Sequence, residues 1–431
     1  MFSFYQKFTQ AVLVAICIIT AAPSARATSF TVANGETLTS TQTLVDNETG
    51  LIESGGFIVV ESNEGVKITG DNATVTNDGT VDTTGGGTEA IEATGDNAVI
   101  TNNGTLITNA QIGIRTSGSG ETIINNGTIT TTGDTGGDAI VPTGGSSTII
   151  NNGTITTTGD GSVGFFPGGS GNTIINNGTV STSNNNGDGM FNKGANLVFT
   201  NNGSIITTGT SAEGIIANGD NSVYNNLGLI DTSGNAADGI LTQGDNDIIN
   251  NSGTIITRGD SAAGIFFNRT TDSVTIINSG TIKIQGSSSV GINTNSTSTI
   301  NNSGLISAEQ SATQAIDGGN PADTLNLLSG SQIIGTIDLK AGTDIVNISG
   351  ANNSSTLTLT NTENINLLNG NGLLVGDVAT MVDPTGQSVS SAVLSSTTLA
   401  VHNVVNQRLA HHQPLKPIQV ATSELSSGMV F

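Results

Sequence analysis

Tryptophan is absent from the 431 residues, and aromatic side chains together make up 3%. With 58 glycines, that is a composition shared with disordered chains, and only a phased pattern of apolar residues argues otherwise. Cysteine occurs once, at Cys17, inside a short apolar stretch near the N-terminus. Disulfide staples and multi-thiolate metal centres are therefore excluded from the rest of the chain. Histidine is confined to His402, His411 and His412, so residues 71–317 hold no His for a triad or a His-Glu-x-x-His zinc motif. Lys and Arg number 11 against 34 Asp and Glu, a formal charge of -23. That balance argues against nucleic acid and anionic lipid as partners. The longest early apolar run, Ala11 to Ala22, is too short to span a membrane stably.

What is present is a repeat. A run reading Ile-Ile-Asn-Asn-Gly-Thr-Ile, as at Ile123 to Ile129, recurs ten times. Its Gly stands at Gly79, Gly104, Gly127, Gly153, Gly178, Gly203, Gly228, Gly253, Gly280 and Gly304, steps of 23 to 27 residues that average 25. Two residues before each Gly stands Asn: Asn77, Asn102, Asn125, Asn151, Asn176, Asn201, Asn226, Asn251, Asn278 and Asn302. The positions four before and two after are apolar in every copy, and Thr stands four after in eight of ten. Within a copy the period is 2, which is strand geometry.

Asn-Gly between β-rich runs is a hairpin signal. Hairpins, however, give no reason for apolar, Asn and Thr slots to hold one phase over 225 residues. A solenoid does: identical slots stack at about 4.8 Å, aliphatics on aliphatics and Asn on Asn as an inward amide ladder. Gly is expected to give the bend a special backbone conformation. A second anchor, small then large apolar, follows the bend, as at Gly189-Met190 and Gly214-Ile215, with length variation confined to the intervening turn. Three short strands per coil follow. The fold expected is all-β, a right-handed parallel β-helix with coils of ~25 residues and a short C-terminal linker α-helix.

The chain divides accordingly. Residues 1–27 are expected to be a signal peptide, with Ala25-Arg26-Ala27 as the cleavage site. Residues 28–70 read as N-terminal cap coils, 71–317 as the regular helix and 318–376 as irregular capping coils, since solenoids need atypical ends. Residues 377–431 read as a linker, with an amphipathic helix over 388–409 where Val389, Val393, Leu394, Val401, Val404, Val405 and Leu409 lie three, four or seven apart.

That order, together with Thr362-Glu363-Asn364-Ile365-Asn366-Leu367 as a last coil and Val382-Asp383-Pro384-Thr385 before the helix, resembles the passenger and linker of a bacterial autotransporter. The resemblance implies export across the inner membrane and display at the cell surface or outside. It also implies an outer-membrane β-barrel translocator as partner. The sequence stops at Phe431, where that barrel begins in the family. A separate barrel polypeptide and a truncated, non-functional fragment both remain open.

Candidate function lies on the faces between copies. The residue two after the small anchor is expected to point outward, and in six consecutive coils it is Val141, Phe166, Phe191, Ile216, Leu241 and Phe266. An exposed apolar stripe marks an interaction site; core filling at a bent strand is the competing reading. Asp recurs in two turn registers, Asp134, Asp160 and Asp260, and Asp71, Asp96, Asp220 and Asp245. These offer Ca2+ a carboxylate ladder, but a solvated acidic edge is the favoured reading, and neither a metal site nor another cofactor is expected. The expected function is a non-enzymatic adhesin or display stalk meeting a host or cell-surface ligand. The alternative is a polysaccharide lyase or hydrolase, which needs acids and bases converging in one groove. The bases of the regular region, Arg115, Lys193, Arg258, Arg269 and Lys283, fall in different slots, so no catalytic residue is proposed.

Overall fold

The computed structural model describes residues 28–109, 111–133, 136–269, 273–308, 314–349, 355–368, 371–382, 400–403 and 420–421. They form a parallel β-solenoid. Most coils contribute one strand to each of three faces. The first face holds strands that end at the inner Asn, such as Thr173–Asn176; the second follows the bend, as in Thr179–Thr182; the third carries the second anchor, as in Met190–Asn192. The first-face sheet has 15 strands and the second 13. Pairing between adjacent coils keeps one register: Thr148 faces Thr173, Ile149 faces Ile174 and Asn151 faces Asn176.

Alternation dictates the core. First-face strands run half-buried, buried, half-buried, buried, and their inward apolar residues Ile123, Ile149, Ile174, Phe199, Tyr224 and Ile249 are at most 1% exposed. Ile155, Val180, Ile205 and Ile230 from the second face and Ile215, Ile240 and Ile265 from the third complete the column. Each such side chain contributes roughly 1.5–3 kcal/mol on burial, which is how a chain with so few rings fills an interior.

The bend Gly works differently from the expectation. Its φ is not positive; instead a Cβ on Gly178 would lie 1.9 Å from the carbonyl oxygen of Gly153, one coil away. Close approach of two backbones, not a left-handed conformation, excludes every other residue. The left-handed positions fall one turn away, on Asn72, Asn97, Asn196, Asn221 and Asn246, with φ near 56°. Asn tolerates that region because its short side chain can bond locally.

The third face is interrupted once. Strands Gln42–Leu44 to Ile140–Pro142 form one sheet of five, a second sheet starts at Met190–Asn192, and Phe165 bridges them through Ile140 and Met190. Pro142 and Pro167 flank the break; proline has no N–H to give a ladder.

First-face pairing runs unbroken past 70–71 and 317–318, to Asn364–Leu368. At the C-terminal end the third-face sheet turns antiparallel. Ser355–Thr360 pairs with Val378–Val382, which pairs in turn with Asn371–Val375. That hairpin covers a strand edge which would otherwise be open to pairing. At the other end the ring of Phe30 lies over Gly50. The expected signal peptide 1–27, His411, His412 and most of the expected helix 388–409 lie outside the described residues; 400–403 are helical. Among the described residues no helix is long and apolar enough to cross a membrane, which leaves β-barrels unaddressed.

Candidate interaction face

Two amide rows run along the bend. The inner Asn residues are all at most 1% exposed. From Asn77 to Asn302 each Nδ2 donates to the Oδ1 of the Asn one coil onward, at 2.7–2.8 Å. The row ends where Asn302 donates to the Ser331 hydroxyl at 2.6 Å. The buried Thr four after the bend closes the next turn, as when Thr207 Oγ1 donates to the Ala212 carbonyl at 2.6 Å. The inner Asn and the buried Thr build the shaft.

The third face differs from coil to coil. Its strands place Met190 and Asn192 inward and Phe191 outward, and the register stacks Phe191 on Ile216, Ile216 on Leu241 and Leu241 on Phe266. The apolar stripe is therefore a contiguous outward row. It is half-buried rather than fully exposed, because its members cover one another. Phe166 and Phe191 meet edge to face at 5.4 Å and 62°. Lys193 folds back over both rings, its Nζ 4.6 Å from the Phe166 centroid and 5.0 Å from that of Phe191, a cation–π arrangement. Val141 is a correction: it is only 4% exposed, so the accessible stripe runs from Phe166 to Phe266.

Beside the stripe runs a feature the sequence reading missed. Asp138, Asp188, Glu213 and Asp238 each immediately precede the small anchor residue, and all are at most 9% exposed. The first, second and fourth accept a backbone N–H from the next coil: Val163 to Asp138 at 2.8 Å, Glu213 to Asp188 at 2.9 Å and Ala263 to Asp238 at 2.6 Å. Burial pushes Asp138 up to about 6, although the Val163 amide and Lys193 oppose the shift. Burial likewise raises Asp238 to about 7, and raises Asp188, which also hydrogen-bonds the Glu213 carboxyl and feels its charge. The signal was legible in principle: an acid directly before Ala-Ile, Gly-Met or Gly-Ile at the mouth of a strand.

The turn acids act as ladder acceptors. Asp46 receives the Asp71 amide, Asp71 that of Asp96, Asp96 that of Ser119 and Asp220 that of Asp245, at 2.8–3.0 Å. Asp260 accepts the Ser287 amide and hydroxyl at 2.8 and 2.7 Å. Asp134 lies outside the described residues. Among the described residues no three His, Cys, Asp or Glu gather in a metal-holding group.

The five bases spread over the surface. Arg115 pairs with Glu89 on the third face at 3.3 Å, Arg258 with Asp231 on the second at 2.7 Å, and Arg269 with Asp245 beside a turn at 3.4 Å. Lys283 stands on a second-face strand, and Lys193 alone joins the acid row and the rings.

Residues 137–335 match the family model described as the BigA third pectate lyase-like domain. The matched stretch holds the stripe and the four buried acids. No curated protein and no solved structure matches the chain. The match fits a surface β-helix protein.

Proposed function

We propose that the chain is an exported, surface-displayed β-solenoid whose third face docks a host or cell-surface ligand, with no catalytic step. A β-barrel translocator on a separate or continuing chain serves its export. The observation that carries this proposal is the contrast between rows. The inner Asn and the bend Gly keep one residue type in all ten copies of the repeat, whereas the third face presents Phe166, Phe191, Ile216, Leu241 and Phe266 outward between Arg115 on one side and Asn293 and Asp317 on the other. A bounded, half-buried apolar patch of this kind gives a partner area to cover. The scatter of the bases supports binding over catalysis.

The test is a triple variant, Phe166→Ser, Phe191→Ser and Phe266→Ser. Attachment of the displayed protein to target cells should be lost, while the denaturant midpoint moves by little, about 1 kcal/mol per half-buried ring at most. Retained attachment, or collapse of the fold, would sink the docking proposal.

One observation favours a second reading. The matched domain is named pectate lyase-like, and Asp138, raised by burial, feels the charge of Lys193. A polysaccharide lyase or hydrolase places its acid and base in such surroundings. Product release from polyuronate that disappears in Asp188→Asn would favour the enzyme; release unchanged in that variant, or none from the parent, counts against it.

A further inference from the structure

The repeat that builds the shaft carries two Asn residues, and only the first turns inward. The second, one before the bend Gly, is Asn103, Asn126, Asn152, Asn177 and Asn202 in five consecutive coils. All five are exposed. Each opens an Asn-Gly-Thr or Asn-Gly-Ser triplet, completed by Thr105, Thr128, Thr154, Thr179 and Ser204, which is the acceptor pattern for an N-linked sugar on a surface loop. We propose that this outer row is a set of N-glycosylation sites, carrying sugar on alternate rungs.

Geometry distinguishes these triplets from chance occurrences in an Asn- and Thr-rich chain. The amides stand in one line along the bend. Nδ2 of Asn126 donates to Oδ1 of Asn103 at 2.7 Å, Asn152 to Asn126, Asn177 to Asn152 and Asn202 to Asn177 at 2.8 Å. The direction is opposite to that of the inner ladder, where each Asn donates to the following coil. A carboxamide has two N–H donors, and the outer ladder uses one. The second is the position a sugar takes, and an N-glycosyl amide keeps one N–H. Modification is thus compatible with the ladder that holds the rung. The inner Asn cannot be used: it is buried, and it donates both to the next Asn and to a backbone carbonyl, as Asn176 does to Asn201 at 2.8 Å and to Ser204 at 3.2 Å.

The row is bounded. Asp78 takes the slot in the coil before, and accepts from Asn103 at 2.7 Å. Leu227, 48% exposed, takes it in the coil after. Rungs repeat at about 4.8 Å, narrower than a pyranose ring, so neighbouring rungs exclude each other. Sugar on Asn126 and Asn177, or on Asn103, Asn152 and Asn202, fills the row. The step is a substitution at carbon 1 of a nucleotide-activated hexose: the amide nitrogen forms a C–N bond, the C–O bond to the nucleoside diphosphate breaks with its electron pair, and the amide proton goes to a base of the transferase.

The test is peptide mass spectrometry on the full chain purified from the cells that naturally produce it, handled at mild acid to suppress Asn-Gly deamidation. The expected result is a hexose or N-acetylhexosamine increment on Asn126, Asn152 or Asn177, rarely on two adjacent rungs of one molecule. Thr128→Val, which suits a strand, should abolish sugar on Asn126 and raise the occupancy of the adjacent rungs Asn103 and Asn152, while the circular dichroism stays unchanged. Three outcomes overturn the proposal: unmodified Asn at all five rungs, Asp or isoaspartate without sugar, or sugar on the Thr hydroxyls alone. The docking test on the third face is independent of each of them.

Discussion

The bend and the third face are made by the same coils, yet one is uniform and the other is not. At the bend each inner Asn is its neighbour's hydrogen-bond partner, and each Gly lies against the backbone of the coil before. A change of Asn in one coil strands groups in two others and a change of Gly forces two coils apart, so both recur. On the third face the outward side chains from Phe166 to Phe266 meet their neighbours by packing, and Arg115, Val141, Phe166, Phe191, Ile216, Leu241, Phe266 and Asn293 follow one another. Uniformity marks where stacking constrains the sequence. Variation marks where the surface is free to acquire a role. Asp138, Asp188 and Asp238 sit between these regimes: they accept ladder bonds as Asn does, but burial raises their proton affinity.

The comparison breaks most sharply at the bend Gly. Gly178→Ala places a methyl 1.9 Å from the Gly153 carbonyl oxygen and 2.9 Å from the Asn152 carbonyl carbon. Because both obstacles are backbone, the coils must separate, and a loss of about 3 kcal/mol is expected in denaturant unfolding. A neutral Ala there would mean that coil spacing at the bend is soft.

The next effect is that of the inner amide. Asn176→Leu takes from the Asn151 Nδ2 its 2.8 Å acceptor, leaving longer contacts to the Gly153 and Thr179 carbonyls, and from the Asn201 Oδ1 its donor. The expected cost is about 1–3 kcal/mol. A stability equal to that of the parent would show that the ladder is geometric and not energetic.

The smallest effect is in pH dependence, and it separates the two regions. The Asn row does not titrate. Asp138 and Asp238 bind protons more tightly folded than unfolded, since burial lifts them to about 6 and 7 from an ordinary value of 3.8. Their contribution is therefore fully present below about pH 4 and is lost as pH climbs through the folded values. Burial also lifts Asp247 to about 7 and Asp323 to about 6 at another corner, so the trend belongs to several sites. Unfolding free energy should fall from about pH 5 to 8, and Asp238→Asn should flatten that fall by about 1 kcal/mol. A parent profile that rises over this range would contradict the assigned burial.

Much of the shaft was legible because a solenoid repeats its constraint. Ten copies of Asn-x-Gly at one phase leave few alternatives to stacked coils, and alternation within each copy assigns inside and outside. The reason for the bend Gly was not legible, because a contact 25 residues away, between Gly178 and Gly153, leaves no local mark distinct from a left-handed turn. The burial of Val141 was not legible either: the spacing that puts it outward is the same as for Phe191. The acid row escaped notice because it falls in only some coils, and a lone Asp before Gly resembles turn composition.

Sequence by itself determined the coil period and the identity of the inward rows, since each follows from a period of 2 inside a period of 25. Tertiary structure decided which polar groups meet. The opposite directions of the two Asn ladders, the seating of Lys193 over Phe166 and Phe191, and the proton affinity of Asp188 depend on atoms brought together across coils. Hydrogen bonding and desolvation act over distances of a few ångströms, and only the stacked chain sets those distances.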